Sequence, residues 1–214
     1  MDRNVHSPYF WIMSEFLNWS EEIRKHGGKL PHWQQGEVTQ FVTFRFGDAL
    51  PIAKVRVWKE ARDNWKNHYP EPWTEEEEKE YHEKFTALLE RWLDQGIGSC
   101  IFNELANREI LEEVLMKFQG ERVEHYSWVI MPNHVHLLFR PMAKLEKLMQ
   151  AWKGVSARKL GLGSIWQAKY RDTMIRDGKH FSNAVRYIRH NPSRLKPGSF
   201  TLWESERAKA VQWD

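Results

Sequence analysis

Two histidines separated by one apolar residue lie inside a run of strand-forming residues, and this feature constrains the fold more than any other. The run extends from Trp128 to Phe139, with His134, Val135 and His136 near its centre. Side chains alternate across a β-strand, so the two imidazoles share one face and the valine points to the other, toward a core. Imidazole nitrogen is a common metal ligand. The shared face argues against one core and one surface histidine, and for this spacing alone a metal-binding role and a purely structural one are equally open.

A second motif, about fifty residues later, predicts a short helix ending at a proline. Ser182 is a suitable N-cap, and Pro192 cannot continue the helix, so we predict a helix over residues 182–191. Tyr187 and Asn191 are four residues apart and therefore project from one face, about 5 to 6 Å apart at Cβ. A phenol and an amide oxygen can thus converge on one small volume. Taken alone, the pair is more typical of a half-buried core tyrosine and a helix C-terminal asparagine than of a functional site.

Further segments accompany the two motifs in a fixed order along the chain. They are Leu30 to Trp33, Gln40 to Phe46, Val129 to Leu138, Trp152-Lys153, Ile165 to Gln167, Ile175 to Asp177 and Arg186 to Pro192. Together they cover about residues 28 to 198. A chain that carries them resembles the REP-associated tyrosine transposases, a family within the HUH single-strand DNA endonucleases.

The resemblance implies a chemistry for the two motifs. His134 and His136 would bind a divalent metal, Asn191 would complete the ligand set, and Tyr187 would be the nucleophile that forms a 5′-phosphotyrosine intermediate with single-stranded or hairpin DNA. Mixed nitrogen and oxygen ligands with a hard phosphate substrate point to Mg²⁺ or Mn²⁺. The implied protein is a metal-dependent endonuclease and strand transferase that acts at hairpin-forming repeats.

Another tyrosine and two other functions remain as alternatives. Tyr170 is followed four residues later by Met174, a poor ligand for a hard cation, which favours Tyr187 as the nucleophile. A hairpin-binding protein that does not cut would share the same fold and basic surface. A metal nuclease that activates water would use Tyr187 only to stack a base. The residues that help the tyrosine ionise are not fixed by the sequence, and the local candidates are Arg186, Arg189 and His190.

Basic residues are concentrated in one part of the chain. The segment 153–198 contains eleven Lys or Arg and two acids, a charge of +9 in a chain whose net charge is +3. Such a cluster is typical of a polyanion-binding surface, although a solvated basic face would look the same. Bases of a single strand also stack on indoles with polar neighbours. The candidate DNA-binding residues are Lys153, Arg158, Lys169, Arg171, Arg176, Arg186, Arg189, Trp33 and Trp166.

Hydrophobic periodicity predicts an α+β fold. We expect strands over residues 38–46, 122–130, 134–140 and 167–176, and helices over 52–67, 75–95, 103–118, 144–160 and 182–191. This is the ferredoxin-like βαββαβ order, an antiparallel sheet with helices on one face and a helical insertion after the first strand. The predicted organisation is a Trp-rich arm (1–37), an HUH domain (38–198, insertion about 52–118) and a C-terminal tail (199–214).

Composition favours a cytoplasmic, nucleoid-associated protein. The single Cys100 excludes an intramolecular disulfide, and the N-terminus lacks the pattern of a signal peptide. No apolar run approaches the roughly 20 residues of a membrane span. We expect a monomer or a homodimer that does not bind membranes.

Overall fold

Seven strands and seven α-helices are formed by the described residues, which are 15–26, 32–70, 73–93 and 95–213 of a computed structural model. The strands are β1 (Arg24–His26), β2 (His32–Gln34), β3 (Gln40–Arg45), β4 (Val123–Ile130), β5 (His134–Pro141), β6 (Arg171–Met174) and β7 (Thr201–Glu204). The helices are α1 (Ile52–His68), α2 (Glu75–Tyr81), α3 (Ala87–Leu93), α4 (Leu105–Met116), α5 (Leu145–Lys159), α6 (Gly178–His190) and α7 (Glu206–Lys209). Within these ranges no helix is both long and apolar enough to cross a membrane.

The main sheet has five antiparallel strands in the order β6-β3-β5-β4-β7. Its first four strands show the predicted βαββαβ connectivity, and the histidine strand β5 lies at the centre. The segment 199–214, expected to be a tail, instead supplies β7, which pairs with β4 at the sheet edge. Strands β1 and β2 form a separate hairpin within the N-terminal segment, of which residues 1–14 and 27–31 lie outside the described residues.

Both faces of the sheet are covered by helices, whereas the sequence predicted helices on one face. Val135 and Leu137 of β5 pack in one core cluster with α4 and α5. Leu138 and Val129 pack in a second cluster with α6, on the opposite face. The reason is that the central strands are apolar on both sides, so each face needs a partner that excludes water.

The long connection between β3 and β4 divides into two parts. Helix α4 packs beside α5 under the sheet, and its Leu111 and Leu115 belong to the main core. It is therefore a crossover helix of the fold, and the predicted insertion of residues 52–118 is too long. The insertion proper is α1 to α3, with a π-helical turn, His82–Thr86, joining α2 to α3. Helix α2 begins at Thr74 with a capping box formed with Glu77.

Helix α6 begins four residues earlier than predicted. Asp177 is its N-cap, and the carboxylate accepts a hydrogen bond from the backbone N–H of His180 at 2.7 Å. The prediction of Ser182 as the N-cap was wrong, because Asp is as good an N-cap residue as Ser and Asp177 comes first in the chain. The predicted end is confirmed, because the helix finishes at His190 with Asn191 as its C-cap and Pro192 follows.

Candidate active site

The two histidines of β5 meet through their outer ring nitrogens. His134 Nε2 and His136 Nε2 are 3.1 Å apart, and the side chains are 1% and 0% exposed. In the antiparallel register His134 lies opposite Arg45 and His136 opposite Thr43, so these four side chains share one sheet face. The shared face predicted from the His-x-His spacing is what the structure contains.

The inner nitrogens of the two rings are held by neighbouring side chains. His134 Nδ1 lies 2.7 Å from Asn133 Oδ1, and His136 Nδ1 lies 2.8 Å from Thr43 Oγ1. Asn133 is itself fixed, because its amide N–H groups donate to the carbonyls of Leu93 and Ile97 at 3.2 and 2.9 Å. The Asn133 oxygen must then accept from His134 Nδ1, which leaves the lone pair on Nε2.

Both rings are neutral at physiological pH. Burial, together with the nearby Arg45 cation, lowers the pKa of His134 to about 3. Burial also lowers the pKa of His136 well below its usual value, and His134 and Arg171 act in the same direction. A neutral imidazole with a lone pair on Nε2 is the form that binds metal ions.

Arg45 is a residue of this face to which the sequence analysis gave no role. It lies opposite His134 in the register of β3 and β5. Burial lowers its pKa to about 10, so the guanidinium keeps its charge at neutral pH. A signal for it was present, because Phe41, Thr43 and Arg45 alternate with the apolar residues of the same strand. A charged residue at the end of such an alternation marks the polar face of a sheet.

Helix α6 brings the candidate nucleophile to the same face. The Tyr187 ring stands edge-on to the His136 ring, with 5.2 Å between the ring centroids and an interplanar angle of 87°. It also stands edge-on to Phe41 of β3 at 5.6 Å. One turn later, Asn191 Oδ1 is buried and has no hydrogen-bond partner among the described residues. A buried carbonyl oxygen without a donor is an acceptor available to a cation.

A carboxylate from the insertion reaches the tyrosine hydroxyl. Tyr187 donates its O–H to Glu90 Oε2, and Glu90 Oε1 accepts from Arg171 Nη1 at 3.2 Å. The Glu90 side chain is 17% exposed, and Arg171 lies opposite Thr43 on the same face of the sheet. No sequence pattern indicates this contact, since Glu90 is one acid among many in a helix far from either motif.

Tyr170, the other candidate nucleophile, lies in the opposite core. It belongs to the cluster that contains α5, whereas Tyr187 packs with the cluster that contains α6. Its ring stacks on His32 with 3.9 Å between centroids, and burial raises the pKa of its hydroxyl. The His pair faces away from this residue, because β5 places His136 and Leu137 on opposite faces.

The separation of the two Nε2 atoms suits two ligands of one cation. Two ligands on neighbouring octahedral positions, each at roughly 2.0 to 2.1 Å, are about 3 Å apart, close to the Nε2 separation of this pair. The buried Asn191 Oδ1, one helical turn after Tyr187, is an oxygen of the type that Mg²⁺ and Mn²⁺ accept. Within the described residues no group of three or more His, Cys, Asp or Glu side chains is placed to hold a metal.

Trp166, predicted to stack on DNA bases, is a core residue. It is 7% exposed, its indole N–H donates to Ser156 Oγ at 2.9 Å, and its ring packs on Phe44 and Phe46. Its polar sequence neighbours suggested exposure, but the segment folds back over the α5 face and buries the indole. Trp33 differs, because it is 39% exposed on β2 with the Lys25 ammonium over its ring.

Three of the predicted DNA-binding cations bind the protein itself. Arg189 is buried and bonds to the Glu204 carboxylate and to two carbonyls of the C-terminal segment. Lys153 donates to the carbonyls of Gln167 and Ala168, and burial lowers its pKa to about 8. Arg186 donates to the carbonyl of Gln212. Counting charges along the chain could not distinguish these structural cations from surface ones.

The other predicted cations lie toward solvent. Arg158 and Lys169 are exposed, and Arg176 is exposed with Glu78 of the insertion 3.8 Å away. Arg171 is half-buried in its ion pair with Glu90. The basic segment is therefore part structural scaffold and part exposed surface.

Comparison with known proteins agrees with the motifs. The family model for IS200-like transposases matches residues 99–191, which include the His pair, Tyr187 and Asn191. A REP-associated tyrosine transposase of Escherichia coli K12 is 26% identical over 88 residues, which are 39% of this chain and 53% of that protein. The match thus spans about half the length of the curated relative.

A solved structure is also similar over a larger part of the chain. It is a REP-associated tyrosine transposase bound to a REP hairpin, with a TM-score of 0.39 and 16% identity over 79% of this chain and 74% of that one. The family model and the curated relative support the resemblance. The resemblance of this chain to the REP-associated, IS200-like tyrosine transposases, first seen in its motifs, is confirmed.

Proposed function

We propose that the protein is a metal-dependent single-stranded DNA endonuclease and strand transferase that acts at hairpin-forming repeats through a 5′-phosphotyrosine intermediate. One observation carries the proposal: the Tyr187 ring stands against His136, whose Nε2 meets that of His134 on the same buried face. The similar chain solved with a REP hairpin suggests the kind of DNA to test, namely single strands that fold into hairpins.

The donor atoms of the site have separate tasks in this proposal. His134, His136 and Asn191 would hold Mg²⁺ or Mn²⁺, and the bound ion would supply a Lewis acid for the scissile phosphate. The Arg45 guanidinium, on the same face, adds positive charge where negative charge develops in the transition state. Tyr187 attacks phosphorus, and the 3′-oxygen of the preceding nucleotide leaves.

A side-chain nucleophile suits strand transfer better than water does. The bond between the tyrosine oxygen and phosphorus keeps the free energy of the phosphodiester, so a 3′-hydroxyl of another strand can reverse the step. Hydrolysis by water would lose it. A partly buried tyrosine beside the proposed ligand pair is therefore the arrangement expected of a transferase.

The exposed part of the basic segment would guide the DNA. Arg158, Lys169 and Arg176 are exposed cations that can contact phosphates, and the exposed indole of Trp33 can stack a base. We propose these four residues as DNA contacts in place of the nine candidates that were chosen from the sequence.

Covalent capture tests the proposal. The protein is incubated with hairpin-bearing single strands and Mn²⁺, and a shifted band on a denaturing gel is digested and analysed by mass spectrometry. We expect the DNA adduct on the peptide that contains Tyr187. Cleavage without any adduct would favour a nuclease that uses water, and tight binding without cleavage would favour a non-cutting hairpin-binding protein.

A further inference from the structure

Glu90 contacts the candidate nucleophile from outside the two sequence motifs. Its Oε2 accepts the phenolic O–H of Tyr187, and its Oε1 is held by Arg171 at 3.2 Å. The carboxylate thus has one oxygen fixed by a cation and the other turned to the nucleophile. The side chain is mostly removed from solvent, which strengthens both contacts.

We propose that Glu90 is a catalytic residue that takes the proton of Tyr187 when the tyrosine attacks DNA. The inference rests on the proposed function and adds to it the group that activates the nucleophile. Free tyrosine has a pKa near 10, so at neutral pH the hydroxyl needs a partner that accepts its proton as attack proceeds. A carboxylate already bonded to the hydroxyl meets the geometric requirement for a general base.

The proton and the bonds balance in this step. The Tyr187 O–H bond breaks and its proton moves to Glu90 Oε2, while the phenolic oxygen forms a bond to phosphorus. The bond between phosphorus and the 3′-oxygen breaks, and that oxygen takes a proton from water to become the free 3′-hydroxyl. In the reverse reaction, the 3′-hydroxyl gives its proton to solvent as its oxygen bonds to phosphorus, the bond between phosphorus and the tyrosine oxygen breaks, and the protonated Glu90 returns its proton to that leaving oxygen.

The three candidates suggested by the sequence contact other groups, and Arg186 donates to the carbonyl of Gln212. Arg189 binds Glu204 and the C-terminal segment. His190 is exposed, with Nδ1 3.1 Å from the carbonyl of Arg186 and its ring against Trp213. Arg171 donates to Glu90 and orients its carboxylate, and is a positioning residue in this scheme.

Cleavage of a hairpin single strand, followed in single-turnover experiments with Mn²⁺, tests the role of Glu90. Glu90→Gln keeps the size and one oxygen acceptor but cannot take a proton, and we expect its cleavage rate to fall by about 10²- to 10⁴-fold. Hairpin binding measured in EDTA and Mn²⁺ affinity should stay as in the parent. Glu83→Gln, an exposed acid of the same insertion, is the matched control and should cleave at the parent rate.

Chemical rescue separates proton transfer from a structural role. Glu90→Ala removes the carboxylate and leaves room for a small one, so added sodium formate should restore part of the cleavage rate, while sodium chloride at equal concentration should not. A purely structural contact would not respond to formate. Thermal unfolding of each variant shows whether it has folded before its rate is compared.

Three results would overturn the inference. Parent-like cleavage by Glu90→Gln would remove the proton-transfer role, and faster cleavage would show that Glu90 restrains the tyrosine. A matched fall in Mn²⁺ affinity would make it a metal ligand. These failures are distinct from failure of the proposed function, in which the parent protein itself would form no Tyr187 adduct.

Discussion

The central sheet and the α1–α3 insertion are built in different ways. In the sheet, the strands and the crossover helices α4 and α5 bury continuous apolar clusters. In the insertion, α2 has no buried residue and α1 has one, Trp65, which packs with Tyr69, Trp73, Tyr81 and Phe85 in a small aromatic group. Yet the insertion touches both motifs, through Asn133 and through Tyr187.

The contrast shows that different regions stabilise the fold and orient the side chains of the candidate site. The sheet and helix α6 carry the proposed metal ligands and the proposed nucleophile, whereas the insertion and the loop after it supply the carbonyls and the carboxylate that contact Asn133 and Tyr187. A region with few buried apolar contacts opens at lower free energy than a core strand. Local opening of the insertion would therefore disturb alignment long before the sheet unfolds.

We expect the largest effect when the hydroxyl is removed from Tyr187 rather than from Tyr170, which lies on the other side of the sheet. Tyr187→Phe should abolish covalent capture of single-stranded DNA while hairpin binding remains, because the ring packs without its hydroxyl. Tyr170→Phe should retain capture, since Tyr170 lies in the other core. Denaturing gels and mass spectrometry measure both. An adduct on Tyr170 would show that the active site lies on the other face of the sheet.

Loss of a ligand should be nearly as severe. His134→Ala or His136→Ala should eliminate cleavage and weaken Mn²⁺ binding measured by calorimetry, and Asn191→Ala should do so more mildly because an amide oxygen is the weakest donor of the three. Excess EDTA should stop cleavage by the parent protein. Undiminished cleavage in EDTA would contradict a metal-dependent reaction.

Replacing either of two tryptophans should have a smaller effect, on stability for the buried Trp166 and on DNA affinity for the exposed Trp33. Trp166→Ala should lower the free energy of unfolding by about 3 to 5 kcal/mol, because it empties a buried site beside Phe44 and Phe46. Trp33→Ala should leave stability unchanged and cost about 1 to 3 kcal/mol in single-strand affinity. Urea unfolding and fluorescence anisotropy measure the two quantities. A stable Trp166→Ala protein would place that indole outside the core.

The smallest effect tests the link between the insertion and the ligand pair. Asn133→Ala removes the acceptor that orients His134, and should weaken Mn²⁺ binding by about 10- to 100-fold. Asn107→Ala is the control, because its amide donates to the carbonyl of Ile101 without touching the site. Equal Mn²⁺ affinity in both variants would mean that the sheet alone aligns the ring.

Prediction from sequence succeeded where a pattern was local. Strand alternation placed His134 and His136 on one face, and helix α5 was predicted within one residue at each end. The shared sheet face of Arg45 was readable from the same alternation, although its role was not. These features depend on neighbours along the chain, which the sequence displays directly.

The failures share a different cause. Glu90, Arg189 and Trp166 owe their environments to residues 97, 15 and 10 positions away. Charge and polarity along the chain carry no information about such partners. The prediction placed all the helices on one face of the sheet. It missed that α6 covers the face opposite α4 and α5, because the contacts between helix and sheet also join residues far apart in the chain.

The alternation of β5 also limits how this protein can change its length. Adding or removing one residue in the turn 131–133 would shift the register of β5 by one position. Both imidazoles would then point into the core formed with α4 and α5, and Val135 and Leu137 would point toward the site. Length changes at the loops between α1, α2 and α3 leave every strand in place. Insertions and deletions among related chains should therefore collect around the insertion and be absent from the turn before the histidines.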